Sequence, residues 1–286
     1  MKKQLRFTKY HGCGNDFLIV DEIGRTATPD RSRSEMAKIL TNRHFQIGAD
    51  GLMFLEDSKG CDCSMRLFEP AGNEADMCGN GIRCIAAYLM EKLGKDEVAI
   101  LTRDGIKRIE RIGGQYTVEM GRVRTKRSDL KVYITDKGKA SDSMLDITFK
   151  ASSKVYRGAI VNSGEPHIVI KTSDIDSIDL RSIGTSINAS RKRFPEGVNV
   201  NFVQTAGSHS IKVRTYERGV YDETLACGTG ATASAAVALL KKWVKPGEVK
   251  VLTKGGQLLI EINEMGAALM TGPATKVFEG EVSVGL

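Results

Sequence analysis

The sequence predicts a mainly antiparallel α+β protein built as two pseudo-symmetric domains, and three observations carry that prediction. Two cysteines stand in matching glycine-rich segments, Met77-Cys78-Gly79-Asn80-Gly81 and Ala226-Cys227-Gly228-Thr229-Gly230. Other segments recur in the same order, with Gly14 standing 64 positions before Cys78 and Gly164 standing 63 before Cys227. Many short strand-like runs accompany few helical ones, a pattern of hairpins more than of alternating βαβ units.

The repeat extends well past the cysteines. Gly14-Asn15-Asp16-Phe17-Leu18-Ile19-Val20 echoes Gly164-Glu165-Pro166-His167-Ile168-Val169-Ile170, and Arg66-Leu67-Phe68-Glu69 echoes Arg214-Thr215-Tyr216-Glu217. Gly48 and Gly197 keep one distance from their cysteines, and Leu101-Thr102-Arg103-Asp104-Gly105 matches Leu252-Thr253-Lys254-Gly255-Gly256. One matched pair is coincidence in a glycine-bearing chain; five in order are a duplication. The period is far too long for a solenoid. The expected domains are residues 1–122 with 275–286, carrying Cys78, and residues 123–274, carrying Cys227. Arg122 to Lys131 is expected to cross from one to the other.

Taken in order, β-branched and aromatic runs predict strands at Phe17 to Val20, Leu52 to Leu55, Ser64 to Phe68, Val98 to Leu101 and Tyr116 to Met120. In the second half they fall at Ala159 to Val161, Ile168 to Ile170, Val200 to Val203, Ile211 to Tyr216, Val249 to Leu252, Leu258 to Ile262 and Ala268 to Thr271. Helices are expected at Arg31 to Asn42 and Leu180 to Ser190, and after each cysteine at Ile82 to Leu93 and Ala231 to Trp243. The small apolar residues from Ala231 to Leu240 belong at the centre of a domain.

Composition narrows the function. With 286 residues, 41% hydrophobic and 27% charged, the chain suits two domains with real cores. Gly228 to Leu240, its most apolar stretch, is short and interrupted by Thr229, Thr232 and Ser234, so no membrane span is expected. Gln4, Arg6, Thr8 and Lys9 interrupt any leader-like apolar run, and a cytoplasmic protein is expected. The net charge of +7 gathers at Arg122 to Arg127 and Arg191-Lys192-Arg193 without interleaved aromatics, which argues against a nucleic-acid partner. Cys61-Asp62-Cys63 lacks zinc spacing and a second ligand pair, so no metal is expected. Six cysteines in a cytoplasmic chain do not read as a disulfide framework. Cys84 reads as core, whereas Cys13, beside Gly14-Asn15, sits in a loop that borders a candidate site.

A thiol at a helix N-terminus meets unpaired N–H groups and the positive end of the dipole, which favour thiolate. A single such thiol is open to reading as a nucleophile, a redox group or chance. Two in equivalent settings point to a pair serving one substrate, one thiolate taking a proton while the other thiol gives one. Gly228-Thr229-Gly230-Ala231-Thr232-Ala233 also fits the dinucleotide pattern G-x-G-x-x-A, but Glu217 to Glu223 is no apolar strand and Glu248 precedes a strand instead of ending one. Paired N–H groups at each helix start suit a carboxylate better than a pyrophosphate. The absence of a C-x-x-C motif lowers a redox-switch reading.

With these residues in view, the chain resembles the diaminopimelate epimerase family of cofactor-independent amino-acid racemases. The resemblance rests on Lys9-Tyr10-His11-Gly12-Cys13-Gly14-Asn15-Asp16-Phe17, Ala75-Asp76-Met77-Cys78-Gly79-Asn80-Gly81-Ile82-Arg83-Cys84, Phe194-Pro195-Glu196-Gly197-Val198-Asn199, and Glu217-Arg218-Gly219 to Cys227-Gly228-Thr229-Gly230. It covers essentially the whole chain. It implies a sheet wrapped around a central helix in each domain, a homodimer, a small amino-acid substrate, no cofactor, and a place in lysine and cell-wall precursor synthesis. It also implies that Cys78 and Cys227 work on opposite faces of an α-carbon, with water excluded because no pyridoxal sink spreads the charge. The N–H groups at Gly79-Asn80 and Gly228-Thr229 would hold the carboxylate; Asn15, His167 and Glu217 would orient the reacting amino acid; Asn199 and Arg218 would hold its distal end. Singly, Asn15 reads as a turn residue, His167 as a strand-edge histidine, and Glu217 with Arg218 as a surface ion pair.

Two positions depart from the family pattern. Glu69 and Glu165 stand where the family usually has asparagines that help hold the distal end. A carboxylate only accepts hydrogen bonds and adds negative charge. An alternative therefore stands beside diaminopimelate: racemisation of lysine, ornithine or histidine, whose distal ends are cationic or rich in donors.

Overall fold

The computed structural model describes residues 2–25, 28–130 and 143–285. Lys131, the far end of the expected crossing segment, and Leu286 lie outside them. The chain divides into two compact units, residues 1–118 with 272–286, and residues 119–271.

The first unit holds β1 (Lys2–Gly12), β2 (Asn15–Asp21), α1 (Asp30–Leu40), β3 (Gly51–Glu56), β4 (Cys63–Phe68), β5 (Glu74–Ala75), α2 (Gly79–Leu93), β6 (Glu97–Thr102), β7 (Gly105–Ile112) and the start of β8 (Gln115–Arg122). The second holds α3 (Arg127–Leu130), β9 (Ile147–Ala151), β10 (Lys154–Asn162), β11 (Pro166–Lys171), α4 (Leu180–Asn188), β12 (Asn199–Gly207), β13 (Ser210–Glu217), β14 (Asp222–Thr224), α5 (Gly228–Leu240), β15 (Val249–Thr253), β16 (Gly256–Ile262) and β17 (Ala267–Gly272). The last strand, β18 (Thr275–Gly285), returns to pair antiparallel with β1 in the first unit.

Pairing follows one plan twice. In the first unit the strands run β18-β1-β2-β3-β4-β6-β7-β8, antiparallel except at β2–β3 and β4–β6. In the second they run β9-β10-β11-β12-β13-β15-β16-β17, antiparallel except at β11–β12 and β13–β15. Here the hairpin expectation needs correcting. Each unit contains two parallel pairs joined through a helix, α1 and α2 in the first and α4 and α5 in the second. Antiparallel pairing still dominates, but four crossovers break the meander, because parallel neighbours require a long connection and a helix supplies it.

Each unit's sheet wraps around one of its helices. α2 packs on β1, β2, β6 and β18, and α5 on β10 to β13, β15 and β16. Ten residues of α5 are buried on all sides, and its small side chains let the strands approach closely. α2 ends at Gly94 in the left-handed conformation (φ 66°), whose N–H returns to the Met90 carbonyl. On the other sheet faces, α1 seals Leu18, Leu52, Phe54 and Phe68, and α4 seals Ile168, Val200, Phe202 and Tyr216. Each such fully buried side chain contributes roughly 1.5–3 kcal/mol relative to exposure, which anchors the strand ends that carry the site.

Candidate active site

In the first unit, Cys78 is the N-cap of α2, and its sulfur accepts from the Gly81 N–H at 3.5 Å. The preceding hairpin places Asn15 beside it. β1 and β2 are joined by Cys13 (φ 53°) and Gly14 (φ 80°), two left-handed residues that fit the tight turn. The turn leaves Asn15 Oδ1 3.6 Å from the Cys78 sulfur and 3.3 Å from Asn80 Nδ2. Asn15 Nδ2 donates to Asp50 Oδ2 at 2.7 Å. Behind them the fully buried Arg83 donates to Asn80 Oδ1 at 2.9 Å and, one turn back, to the Gly79 carbonyl at 3.0 Å. Glu69 follows β4 in a tight turn, its carbonyl accepting from Gly72 N–H and its own N–H donating to Asn73, with the residue exposed.

In the second unit, Cys227 is the N-cap of α5, and its sulfur accepts from the Gly230 N–H at 3.3 Å. A Cβ at residue 230 would stand 2.6 Å from Asn201 Oδ1, so glycine is required for this approach. The Thr229 hydroxyl lies 3.3 Å from the sulfur, and the Thr229 carbonyl accepts from Ser163 at 2.8 Å. That bond seats the loop carrying Glu165 against the helix mouth. Asn199 donates to Glu165 Oε2 at 2.7 Å and accepts from the Arg218 N–H at 2.8 Å, and the Arg218 guanidinium lies 3.6 Å from the other Glu165 oxygen. Glu217 accepts from the Thr224 hydroxyl.

His167 is completely buried on β11. Thr215 donates to Asn201 Oδ1 at 2.9 Å, so the Asn201 amide nitrogen must face Ile168 O at 2.9 Å and His167 Nδ1 at 3.1 Å. Nδ1 therefore accepts, which in the neutral ring assigns the proton to Nε2, 3.5 Å from the Asn199 amide nitrogen. Burial and the nearby Arg218 depress the imidazolium, from an ordinary value of 6.5 down to about 3. His167 is thus a neutral hydrogen-bond donor and carries no charge near neutral pH.

The Cys227 thiol does not follow the simple expectation from the helix dipole. Burial, with Glu217 and Glu165 behind it, pushes the Cys227 thiol well above the ordinary range, outweighing Thr229 and the Gly230 N–H. Ligand-free Cys227 therefore holds its proton. Burial raises the Cys13 thiol too, against the Arg83 guanidinium. Cys84 is likewise raised by burial in α2, as expected for a core cysteine, and Cys63 is pushed up to about 12. All six cysteines are free, and no metal-binding cluster occurs among the described residues.

The structure thus joins Cys78, Asn15, Gly79 and Asn80 in one unit, and His167, Asn199, Glu165 and Arg218 in the other, with Glu217 and Thr229 flanking Cys227. Residues to which the sequence alone assigns no role are Asp50 and Arg83 in the first unit and Ser163, Asn201, Thr215 and Thr224 in the second. Arg83 falls four residues after Gly79, one helical turn, and Asn201 two after Asn199, on one strand face; both spacings were available as signals.

Solved structures resembling the chain define the fold class. A Bacillus anthracis phenazine biosynthesis protein of the PhzF family matches with a TM-score of 0.69 at 18% identity, over 99% of this chain and 100% of that one. A hydroxyproline epimerase from Agrobacterium vitis matches with a TM-score of 0.70 at 14% identity, over 99% and 94%. At such identities the likeness defines the fold alone. Closer relatives are more specific. The diaminopimelate epimerase family model matches twice, at residues 7–126 and 159–277, once in each half. The diaminopimelate epimerase of Methanocella arvoryzae is 41% identical over 98% of both chains, and that of Methanothrix thermoacetophila 42% identical over 98% of this chain and 96% of its own. The chain belongs to the diaminopimelate epimerase family.

Proposed function

We propose that the protein interconverts LL- and meso-2,6-diaminopimelate, a step in lysine biosynthesis, by two-base proton transfer at the α-carbon through Cys78 and Cys227. One sulfur, as thiolate, takes the α-proton; the other, as thiol, returns a proton to the opposite face, and the roles reverse with direction. The observation that carries the reading is the pair of thiols, each an N-cap of its unit's central helix, in a chain matched along its length by this family. Helix-mouth N–H groups at Gly79-Asn80 and Gly228-Thr229 suit the α-carboxylate, whose charge grows as the carbanion forms. His167 adds a neutral donor, while Asn15 Oδ1 is an acceptor that suits an α-ammonium.

Glu165 bears on the choice of substrate. Its carboxylate is engaged by Asn199 and Arg218, so it adds little unmatched negative charge to attract a lysine or ornithine side chain. Together the Glu165 carboxylate and the Arg218 guanidinium complement a zwitterionic distal end, as diaminopimelate has. No helix among the described residues is long and apolar enough to cross a membrane, and we place the enzyme in the cytoplasm. We also propose a homodimer, with exposed Val277 and Phe278 on β18 as its apolar contribution.

The test is α-proton exchange followed by NMR in D2O with reduced protein, on LL- and meso-diaminopimelate, lysine, ornithine and histidine. Rapid exchange on diaminopimelate is expected, reduced about 10²–10⁴-fold in Cys78→Ala and in Cys227→Ala. Exchange confined to lysine, ornithine or histidine would move the substrate. No exchange on any of them, with both thiols reduced, would overturn the reading.

A further inference from the structure

The polar chain beside Cys78 has a fixed direction. At one end stands the Asp50 carboxylate, which can only accept; at the other the Arg83 guanidinium, which can only donate. Asn15 and Asn80 lie between them. Asn15 Nδ2 is committed to Asp50 at 2.7 Å, and Asn80 Oδ1 to Arg83 at 2.9 Å. Neither amide can turn over without setting donor against donor or acceptor against acceptor. Asn80 Nδ2 must therefore face Asn15 Oδ1, and that same oxygen faces the Cys78 sulfur.

Asp50 is itself clamped. Arg43 donates to its Oδ1 at 2.7 Å, the Asp16 N–H to its Oδ2 at 3.2 Å, and its own N–H returns to the Asp16 carbonyl at 2.8 Å. Asp16 in turn binds Arg43 at 2.6 Å and Lys9 at 2.9 Å, and these cations hold its carboxyl below the usual range against the effect of burial. The charged groups behind the Cys78 network are thus Arg83 on α2, Asp16 on β2, Lys9 on β1, and Asp50 and Arg43 on the loop between α1 and β3. The Asp50 side chain remains 41% exposed, so its importance lies in direction more than in bond strength.

We infer that Asp50 is a positioning residue that locks the Asn15 amide with its oxygen toward Cys78, so that Asn15 accepts the thiol proton and cannot donate to the thiolate. Held this way, the oxygen also presents an acceptor to any ammonium that comes beside the sulfur. Asp50 acts only through Asn15. The inference rests on the two-thiol reading for its consequence in catalysis, but not for its geometry.

Two double-mutant cycles over Asn15→Ala and Asp50→Ala test it, one without substrate and one with. In the first, alkylation of Cys78 by iodoacetamide near neutral pH is followed by peptide mass spectrometry, with buried Cys63 and Cys84 as internal controls. Asp50→Ala leaves the amide held from the Asn80 side alone, by a 3.3 Å bond, so the orientation with its nitrogen toward the sulfur becomes populated and Cys78 should react several-fold faster than in the wild type. In the Asn15→Ala background the same substitution should change nothing. In the second cycle, diaminopimelate turnover should fall about 10–100-fold in Asp50→Ala, mostly in kcat, with no further loss when Asn15 is already alanine. Asp50→Asn, which keeps the side-chain shape, covers a failure of the alanine variant to fold and should show smaller changes of the same sign, cancelled in the same way. Equal effects of Asp50 substitution with and without Asn15, or none on Cys78, would overturn the lock. An inactive wild type would instead remove the epimerase reading, and the alkylation cycle would still decide the lock.

Discussion

At the first helix mouth the sulfur of Cys78 is partly exposed and faces an amide oxygen held between a carboxylate and a guanidinium. At the second, Cys227 is buried, with a hydroxyl beside it and two carboxylates near enough to raise its thiol. The backbone plan is the same: N-cap cysteine, a glycine N–H on the sulfur, a helix inside a wrapped sheet. The supporting polar groups differ in kind. The first unit orients its site with full charges, Arg83, Asp50, Arg43 and Asp16. The second relies on neutral amides and an uncharged imidazole, with the Glu165–Arg218 pair at its exposed edge. Duplication supplied a common scaffold, and the two copies use it to hold a thiol in electrostatically unlike settings. In the proposed two-thiol mechanism, unlike settings let one sulfur be ionised while the other keeps its proton.

Acid should break the second network before the first, and this is the largest effect expected. The folded pKa of His167 is depressed to about 3 from 6.5, so the unfolded chain binds a proton that the native protein refuses. Its contribution is complete above about pH 6.5 and is lost as pH falls from there toward 3, in total roughly 5 kcal/mol by linkage. Asp16 responds differently, since its lowered carboxyl stays ionised below the ordinary carboxylate range and keeps the Arg43 and Lys9 pairs. Hydrogen exchange by mass spectrometry from pH 7 to 4 should show protection lost first in β11, β12 and α5, with α2 still protected. His167→Gln should flatten that dependence. Simultaneous loss of protection in α2 and α5 would count against the contrast.

Glycine substitution sharpens the comparison at the sulfurs themselves. A Cβ at residue 230 would meet Asn201 Oδ1 at 2.6 Å and Thr215 Oγ1 at 3.0 Å, both fixed by the His167 network. At residue 81 the nearest atom is the Met53 sulfur at 3.2 Å, on a flexible side chain that can give way. Gly230→Ala should therefore cost about 1–3 kcal/mol from overpacking. Gly81→Ala should be nearly neutral, because better helix propensity, worth about 1 kcal/mol, offsets a small adjustment. Urea unfolding curves for the two variants decide this, and equal losses would mean that the two helix mouths are equally tight.

How far the sequence reveals this arrangement depends on whether a feature is local. The duplicated glycines and cysteines stand in the sequence because turn conformation and helix capping are decided within a few residues. The four central strands with near-continuous apolar runs, Phe17 to Val20, Leu52 to Leu55, Ile168 to Ile170 and Val200 to Val203, are equally plain. β1 and β18 are not, since β1 interleaves its buried residues with charged ones, β18 is mostly exposed, and the two pair mainly with each other across the length of the chain. Parallel pairing at β2–β3 and its three counterparts is also hidden, because a strand before a helix looks alike whichever way its partner runs. Within the site, Asn15, His167, Glu217 and Arg218 lie in recognisable motifs. Asn201 is marked in the sequence only by its spacing from Asn199, and Asp50 acquires meaning only from the hairpin turn that the fold sets against it.

The smallest expected effect separates the two carboxylates behind Cys227. Both raise its thiol, Glu217 more strongly than Glu165. Glu165 is 42% exposed and its charge is countered by Arg218, so solvent and the guanidinium both weaken its reach. Removing either negative charge should lower the Cys227 thiol pKa, and Glu217→Gln should lower it more than Glu165→Gln. The pH midpoint of Cys227 alkylation in ligand-free protein measures this directly, with Cys78 in the same sample as the reference. A larger shift at Cys227 from Glu165→Gln than from Glu217→Gln would mean that Arg218 does not offset Glu165. The charge argument for an unshifted, zwitterionic substrate would then fail with it, and Glu165 would again favour a cationic one.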